Sequence, residues 1–104
     1  MKKTILYIDS SDNQITKVAL GINGKRKKIS RQNKSFSSQA LIPLIIEILR
    51  QNKVQFKELS EIKINTGPGS FTGIRVGVSV ANILGWYLGI PVNGGMKHVE
   101  PVYS

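Results

Sequence analysis

The chain has 104 residues, room for one small domain with a modest core, because a second core would need roughly 50 further residues. Its composition of 40% hydrophobic and 20% charged residues excludes a disordered tail, no apolar run approaches a bilayer span, and the absence of cysteine excludes a thiolate nucleophile or Cys-ligated zinc. The net charge of +9 admits a nucleic-acid partner through phosphate neutralisation, although abundant Lys, Ile and Asn together are also what a biased genome composition produces.

The N-terminal MKKTILYIDSSD meets an acidic residue too early for a signal peptide, so the cytoplasm is the expected compartment. Thr4 to Asp9 predicts a first strand that ends at a Ser10 to Asn13 turn. Ile15 to Ile22 predicts a second, and Asn23-Gly24 is a strong hairpin signal leading into a third, basic strand from Lys25 to Ile29. Lys25, Arg26, Lys27, Lys28, Arg31 and Lys34 form the densest cationic cluster, and the first five are the candidates for RNA contact, with few aromatics nearby to stack bases.

Ser35 to Ser38 offers helix caps before ALIPLIIEILRQN, where Leu41, Leu44, Ile45, Ile48 and Leu49 recur at helical spacing. Pro43 is expected to cost a backbone hydrogen bond and bend this helix. Ile42, Ile46 and Leu49 widen the apolar arc to roughly 200°, about twice what one core-facing stripe needs, which leaves surface for a partner. Leu59 to Asn65 predicts a fourth strand, Thr72 to Leu88 a second helix closed by Gly89, and Ile90-Pro91-Val92 a last strand. On the second helix Gly73, Gly77, Ala81 and Gly85 form a small-residue stripe, a sign that another backbone approaches closely. Val76, Val80, Ile83 and Tyr87 make a second stripe, and Trp86 sits on the most polar face as a candidate interface anchor. The order β-β-β-α-β-α-β predicts an α/β fold with a mixed five-stranded sheet over residues 1–93 and a tail over 94–104.

The glycine loop NTGPGSFTG fails three chemical templates. It lacks the lysine of a Walker loop, spaces Gly67, Gly69 and Gly73 one residue too wide for the dinucleotide fingerprint, and centres Phe71 where a nucleophile elbow needs serine. A triad would have to combine the single histidine, His98, with Ser70 and Asp9, and nothing local orients them; no catalytic residue is assigned. Two readings remain for Gly67, Gly69, Ser70, Thr72 and Gly73: an anion site at a helix N-terminus, or a sharp turn into a closely packed helix. Asp9 could ligate a metal or cap its own turn, and His98 with Glu100 supplies too few ligands for a metal site, so neither a metal nor a cofactor is expected.

YIDSS, SQALIPLIIEIL and above all NTGPGSFTGIRVGVSVANILGWYLGIPV resemble the TsaB (YeaZ) family over most of residues 4 to 93. That resemblance implies a ribonuclease-H-like domain of the actin-hexokinase superfamily. It also implies a non-catalytic dimerisation subunit of the bacterial tRNA threonylcarbamoyladenosine machinery, whose transferase, TsaD, shares the G-P-G loop. In the family the first domain's helices pack against TsaD or a second TsaB, which puts the expected interface on Leu41, Ile42, Ile45, Ile46, Leu49, Gly77, Ala81 and Trp86. A homodimer is expected in isolation, tRNA is met indirectly or through the basic hairpin, and no membrane is involved. The alternative is a nucleotide-binding or hydrolytic actin-like module using Asp9 and the Gly67 to Gly73 loop. The sequence departs from the family in stopping at Ser104, so that the usual second domain is expected to be absent. It also has Ser37 where a histidine is common and Asp9-Ser10-Ser11 where the superfamily ATPases carry Asp-x-Gly. In the tail, Val102 stands in place of the second histidine of the TsaD metal motif.

Overall fold

The computed structural model describes residues 3–12, 14–32 and 38–96. Strands β1 (Thr4–Asp9), β2 (Ile15–Ile22) and β3 (Lys25–Gln32) form a meander, followed by helix α1 (Ser38–Gln51), a short 3-10 turn (Phe56–Glu58), strand β4 (Glu61–Ile64) and helix α2 (Phe71–Leu88). The caps proposed at Ser35 to Ser37 and the ligand pair His98 and Glu100 lie outside the described residues.

The sheet order is β3-β2-β1-β4, with β1 antiparallel to β2 and parallel to β4. Alternation decides what each face carries. Register aligns Leu20, Leu6 and Ile62 in one row and Val18, Ile8 and Ile64 in the next, all of them buried. α1 packs on β2 and β3, α2 on β4 and β1, and the two helices touch each other. Leu41, Leu44, Ile45, Ile48 and Leu49 from α1 meet Ile74, Val78 and Ala81 from α2 in the core between the helices and the sheet.

The turns follow local chemistry. Asn23 and Gly24 both take positive φ, 50° and 87°, the geometry that a two-residue hairpin needs to match strand twist. α1 runs through Pro43, whose ring is exposed. It closes with Lys53 at φ 55°, the Lys53 amide donating to the Arg50 carbonyl and the Val54 amide to that of Leu49, a Schellman ending with Val54 turned into the core. Ser70 caps α2 by accepting from the Gly73 amide at 3.3 Å, and Gly89 ends it at φ 68°. Among the described residues no buried side-chain polar atom lacks a hydrogen-bond partner.

The predicted fifth strand needs correction: the sheet has four strands among the described residues, and Ile90-Pro91-Val92 makes only an isolated parallel bridge from Val92 to Ile62. Pro91 has no N–H to give to a ladder. Asn93 (φ 52°) and Gly94 (φ 82°) then turn the chain back at once, so that Val92 pairs with Gly95. The Asn93 side chain takes over the missing pairing, accepting from the Ile64 amide at 2.8 Å and donating to the Ile64 carbonyl at 3.0 Å. β4 is also shorter than predicted, because Leu59 belongs to the exit of the 3-10 turn, its amide bonded to the Phe56 carbonyl.

Asn93→Ala removes both bonds and leaves an alanine at positive φ, so a loss of about 1–3 kcal/mol is expected in a denaturant-unfolding series. Gly77→Leu is expected to cost at least as much in the same experiment, because its side chain would meet the Ser10 Oγ and come within 2.9 Å of Ile64 Cδ1.

Candidate functional site

The Gly67 to Gly73 loop leaves the end of β4 and enters α2 beside the end of β1. Three of its backbone amides are bonded within the chain. The Gly67 amide donates to Asn65 Oδ1 at 3.0 Å, the Ser70 amide to the Ser11 carbonyl at 2.6 Å, and the Gly73 amide to Ser70 Oγ. Gly69 lies so close to the turn after β1 that an added Cβ would sit 2.6 Å from the Ser11 carbonyl oxygen. Buried Ser10 donates its hydroxyl to the Gly73 carbonyl at 2.6 Å. Thr72 is exposed in the first turn of α2, while Ser70 does the capping. The bonds at Gly67, Ser70 and Gly73 and the close fit of Gly69 are those of a sharp turn into a closely packed helix.

Asp9 completes the same network. Its Oδ1 accepts from the Ser11 amide at 3.0 Å, the Ser11 hydroxyl at 2.6 Å and Asn65 Nδ2 at 3.4 Å. Partial burial pushes this carboxyl upward, but the Ser11 hydroxyl and amide, Asn65 and the charge of Lys17 outweigh it and hold it below its ordinary value of 3.8. The carboxylate thus works as a turn cap. Among the described residues no three His, Cys, Asp or Glu side chains come together.

The expected docking surface is divided by the fold. Leu41, Ile45, Leu49, Gly77 and Ala81 are buried in this chain's own core, so no partner reaches them in this fold. The glycine stripe makes room for the chain's own segments: the Ser10 side chain lies against Gly77, and a backbone approaches only at Gly85, where the Ile90 carbonyl lies beside the Val92 side chain. Ile42 and Ile46 on α1 remain 45% and 49% exposed, and Trp86 on α2 is 84% exposed. Ile83 and Tyr87, which the sequence set on a separate stripe, stand beside Trp86 in the chain at 64% and 78% exposure. A shallow groove of about 400 Å³ between Phe71, Arg75, Val76 and Val80 marks the outer side of the same helix near its start. The signal for this face was present in the sequence, since Ile83 and Tyr87 are four apart and Trp86 adjoins them; what it lacked was which stripe the sheet would take.

The basic cluster is also redistributed. Register pairs Arg26 with Gly21 and Lys28 with Ala19, whereas Lys25 pairs with Ile22 and Lys27 with Leu20. Side chains alternate along a strand, so the run splits two and two between the faces of the sheet. Arg31 continues β3 opposite Thr16. No helix among the described residues is long and apolar enough to cross a membrane.

The family model described as TsaD, tRNA N6-adenosine threonylcarbamoyltransferase, matches residues 28–101. The "tRNA threonylcarbamoyladenosine biosynthesis protein TsaB" of Buchnera aphidicola subsp. Acyrthosiphon pisum is 38% identical over 92 residues, which cover 88% of this chain and 41% of that protein. The Bacillus subtilis protein of the same name is 35% identical over 96 residues, covering 86% of this chain and 39% of its own length. Among solved structures, "YeaZ from Pseudomonas aeruginosa" superposes with a TM-score of 0.81 at 29% identity, over 86% of this chain and 42% of that one. The chain therefore spans about two-fifths of the length of these relatives.

A carboxyl held below its ordinary value stabilises the fold at neutral pH, and that contribution is lost as pH falls through its folded-state pKa. The unfolding midpoint of the wild type is expected to exceed that of Asp9→Asn near pH 6 and to converge with it as the pH falls below about 4. A gap that stayed constant over that range would remove Asp9 ionisation from the account of the turn.

Proposed function

The chain belongs to the TsaB (YeaZ) family, and on that premise we propose that it is a non-catalytic scaffold subunit that binds and activates a TsaD-type transferase. It works in the cytoplasm, in the pathway that makes threonylcarbamoyladenosine in tRNA, and pairs with itself when the transferase is lacking. The relatives named for that biosynthesis support the pathway. The single observation that carries the scaffold role is the apolar face left outside the core on both helices, Ile42 and Ile46 on α1 with Ile83, Trp86 and Tyr87 on α2. Monomeric proteins seldom leave a tryptophan and a tyrosine this exposed on successive residues next to exposed isoleucine, and aromatic residues dominate interface hot spots.

The competing reading as a nucleotide-hydrolysing module draws on the same Asp9 and glycine loop, whose hydrogen bonds run within the chain. That arrangement supports a structural part for the loop and leaves the transfer chemistry to the partner.

Co-expression with the transferase of the same genome tests the scaffold role. The wild-type chain is expected to co-purify with it, and Trp86→Glu or Ile46→Glu to weaken the complex by about 2 kcal/mol or more while the isolated variant keeps its unfolding midpoint. If both variants retain the complex, the exposed helix face is not the docking surface. If the isolated wild-type chain binds ATP and Mg²⁺ tightly and turns ATP over, the scaffold reading is lost.

A further inference from the structure

We propose that Asn23 is a site of spontaneous deamidation in the folded chain, the Gly24 backbone nitrogen attacking its side-chain carbonyl carbon, and that two hydrogen bonds to Ile64 shield the otherwise equivalent Asn93. Such a modification site lies outside the scaffold reading and does not depend on it.

The sequence contains two Asn-Gly pairs, Asn23-Gly24 and Asn93-Gly94. The fold builds the same two-residue turn from both. Ile22 pairs with Lys25 across the first and Val92 with Gly95 across the second, and the central φ angles are 50° and 87° in one, 52° and 82° in the other. All four turn residues are exposed. Asparagine is among the thermolabile side chains, and a following glycine has no Cβ to screen its nitrogen from the carboxamide.

Backbone geometry does not separate the two sites; side-chain anchorage does. At Asn93 both ends of the carboxamide are bonded to one residue of β4, Oδ1 accepting from the Ile64 amide at 2.8 Å and Nδ2 donating to the Ile64 carbonyl at 3.0 Å. At Asn23 only Oδ1 is bonded among the described residues, accepting from the Lys3 amide at 3.2 Å, the long end of the hydrogen-bond range. Turning the side-chain carbonyl carbon toward the next nitrogen therefore breaks two bonds at Asn93 and one long, exposed bond at Asn23.

The reaction needs only water. The Gly24 nitrogen loses its proton to solvent base and forms a bond to Asn23 Cγ, while the Cγ–Nδ2 bond breaks and the amide nitrogen takes a proton from water and leaves as ammonia. Water then adds to either carbonyl of the resulting succinimide, which opens to aspartate or to isoaspartate. Either product puts a carboxylate two residues before Lys25, at the head of the cationic run. Isoaspartate also lengthens the backbone of a turn that sets the register of β2 against β3. At Asn93 the aspartate product would set a carboxylate oxygen against the Ile64 carbonyl that Nδ2 now serves, so the same two bonds protect the turn that depends on them.

Peptide mapping by mass spectrometry, on the full chain incubated at mildly alkaline pH, tests the proposal, and a parallel incubation in denaturant supplies the intrinsic rate of each site. Cleavage after lysine isolates Val18 to Lys25, in which Asn23 is the one amide side chain, and fragment ions separate Asn93 from Asn82 in the peptide that follows Arg75. The native chain is expected to convert first at Asn23. The ratio of denatured to native rate should be larger at Asn93 than at Asn23 by about fivefold or more, the factor that one further intact hydrogen bond supplies. Equal ratios at the two sites, or faster native conversion at Asn93, would overturn the proposal. So would a native Asn23 that stays intact over the time in which the denatured chain converts fully. The transferase is absent from the assay, so neither result bears on the docking of the helices.

Discussion

The close approach of α2 to the end of β1 organises the molecule. Ser10, fully buried, donates its hydroxyl to the Gly73 carbonyl, and Gly77 one turn later leaves the space that the Ser10 side chain fills. A serine in that position serves two purposes at once: it satisfies a polar group in the core, and it holds the helix near the sheet at a distance that no larger residue at 77 would allow. The loop before α2 is drawn in by the same approach, since the Ser70 amide reaches the Ser11 carbonyl and Gly69 lies against Ser11. A glycine loop that meets neither nucleotide template in sequence thus forms a tight joint between strand and helix.

Once the glycine face of α2 is turned inward, the rest of the helix surface is determined. Ile74, Val78 and Ala81 enter the core, and Ile83, Trp86 and Tyr87 must point elsewhere. α1 has the same problem from the other direction. Its apolar arc is wider than the sheet can cover, so Leu41, Leu44, Ile45, Ile48 and Leu49 are buried while Ile42 and Ile46 stay outside. The helix layer therefore carries an apolar outer surface, and the opposite face of the sheet carries lysines around a tyrosine.

Much of the fold was legible because its signals are local. The Asn23-Gly24 hairpin, the Ser70 cap, the Gly89 ending and the order of elements all depend on preferences within a few residues. The fifth strand was misread for a local reason too: Asn93-Gly94 is the same turn signal as Asn23-Gly24, and it ends the pairing after Val92. The bonds from the Asn93 side chain to Ile64, by contrast, link positions 29 residues apart and have no signature in either segment.

By itself the sequence determined that this is a small α/β chain, that its first helix has more apolar surface than one sheet needs, and that its second helix presses against another backbone. Periodicity measures how wide an apolar or small-residue face is, and is silent about what covers it. Only the tertiary structure decided that what meets Gly77 is the side chain of the chain's own Ser10, and that Trp86 belongs with Ile83 and Tyr87 outside the core. It also decided that a run of four cations in β3 is two pairs on opposite faces, one of which joins Lys17 and Lys63 from other strands. The physical reason is strand register: alternation along a strand separates neighbours in sequence, and cross-strand pairing brings together residues that no local preference connects.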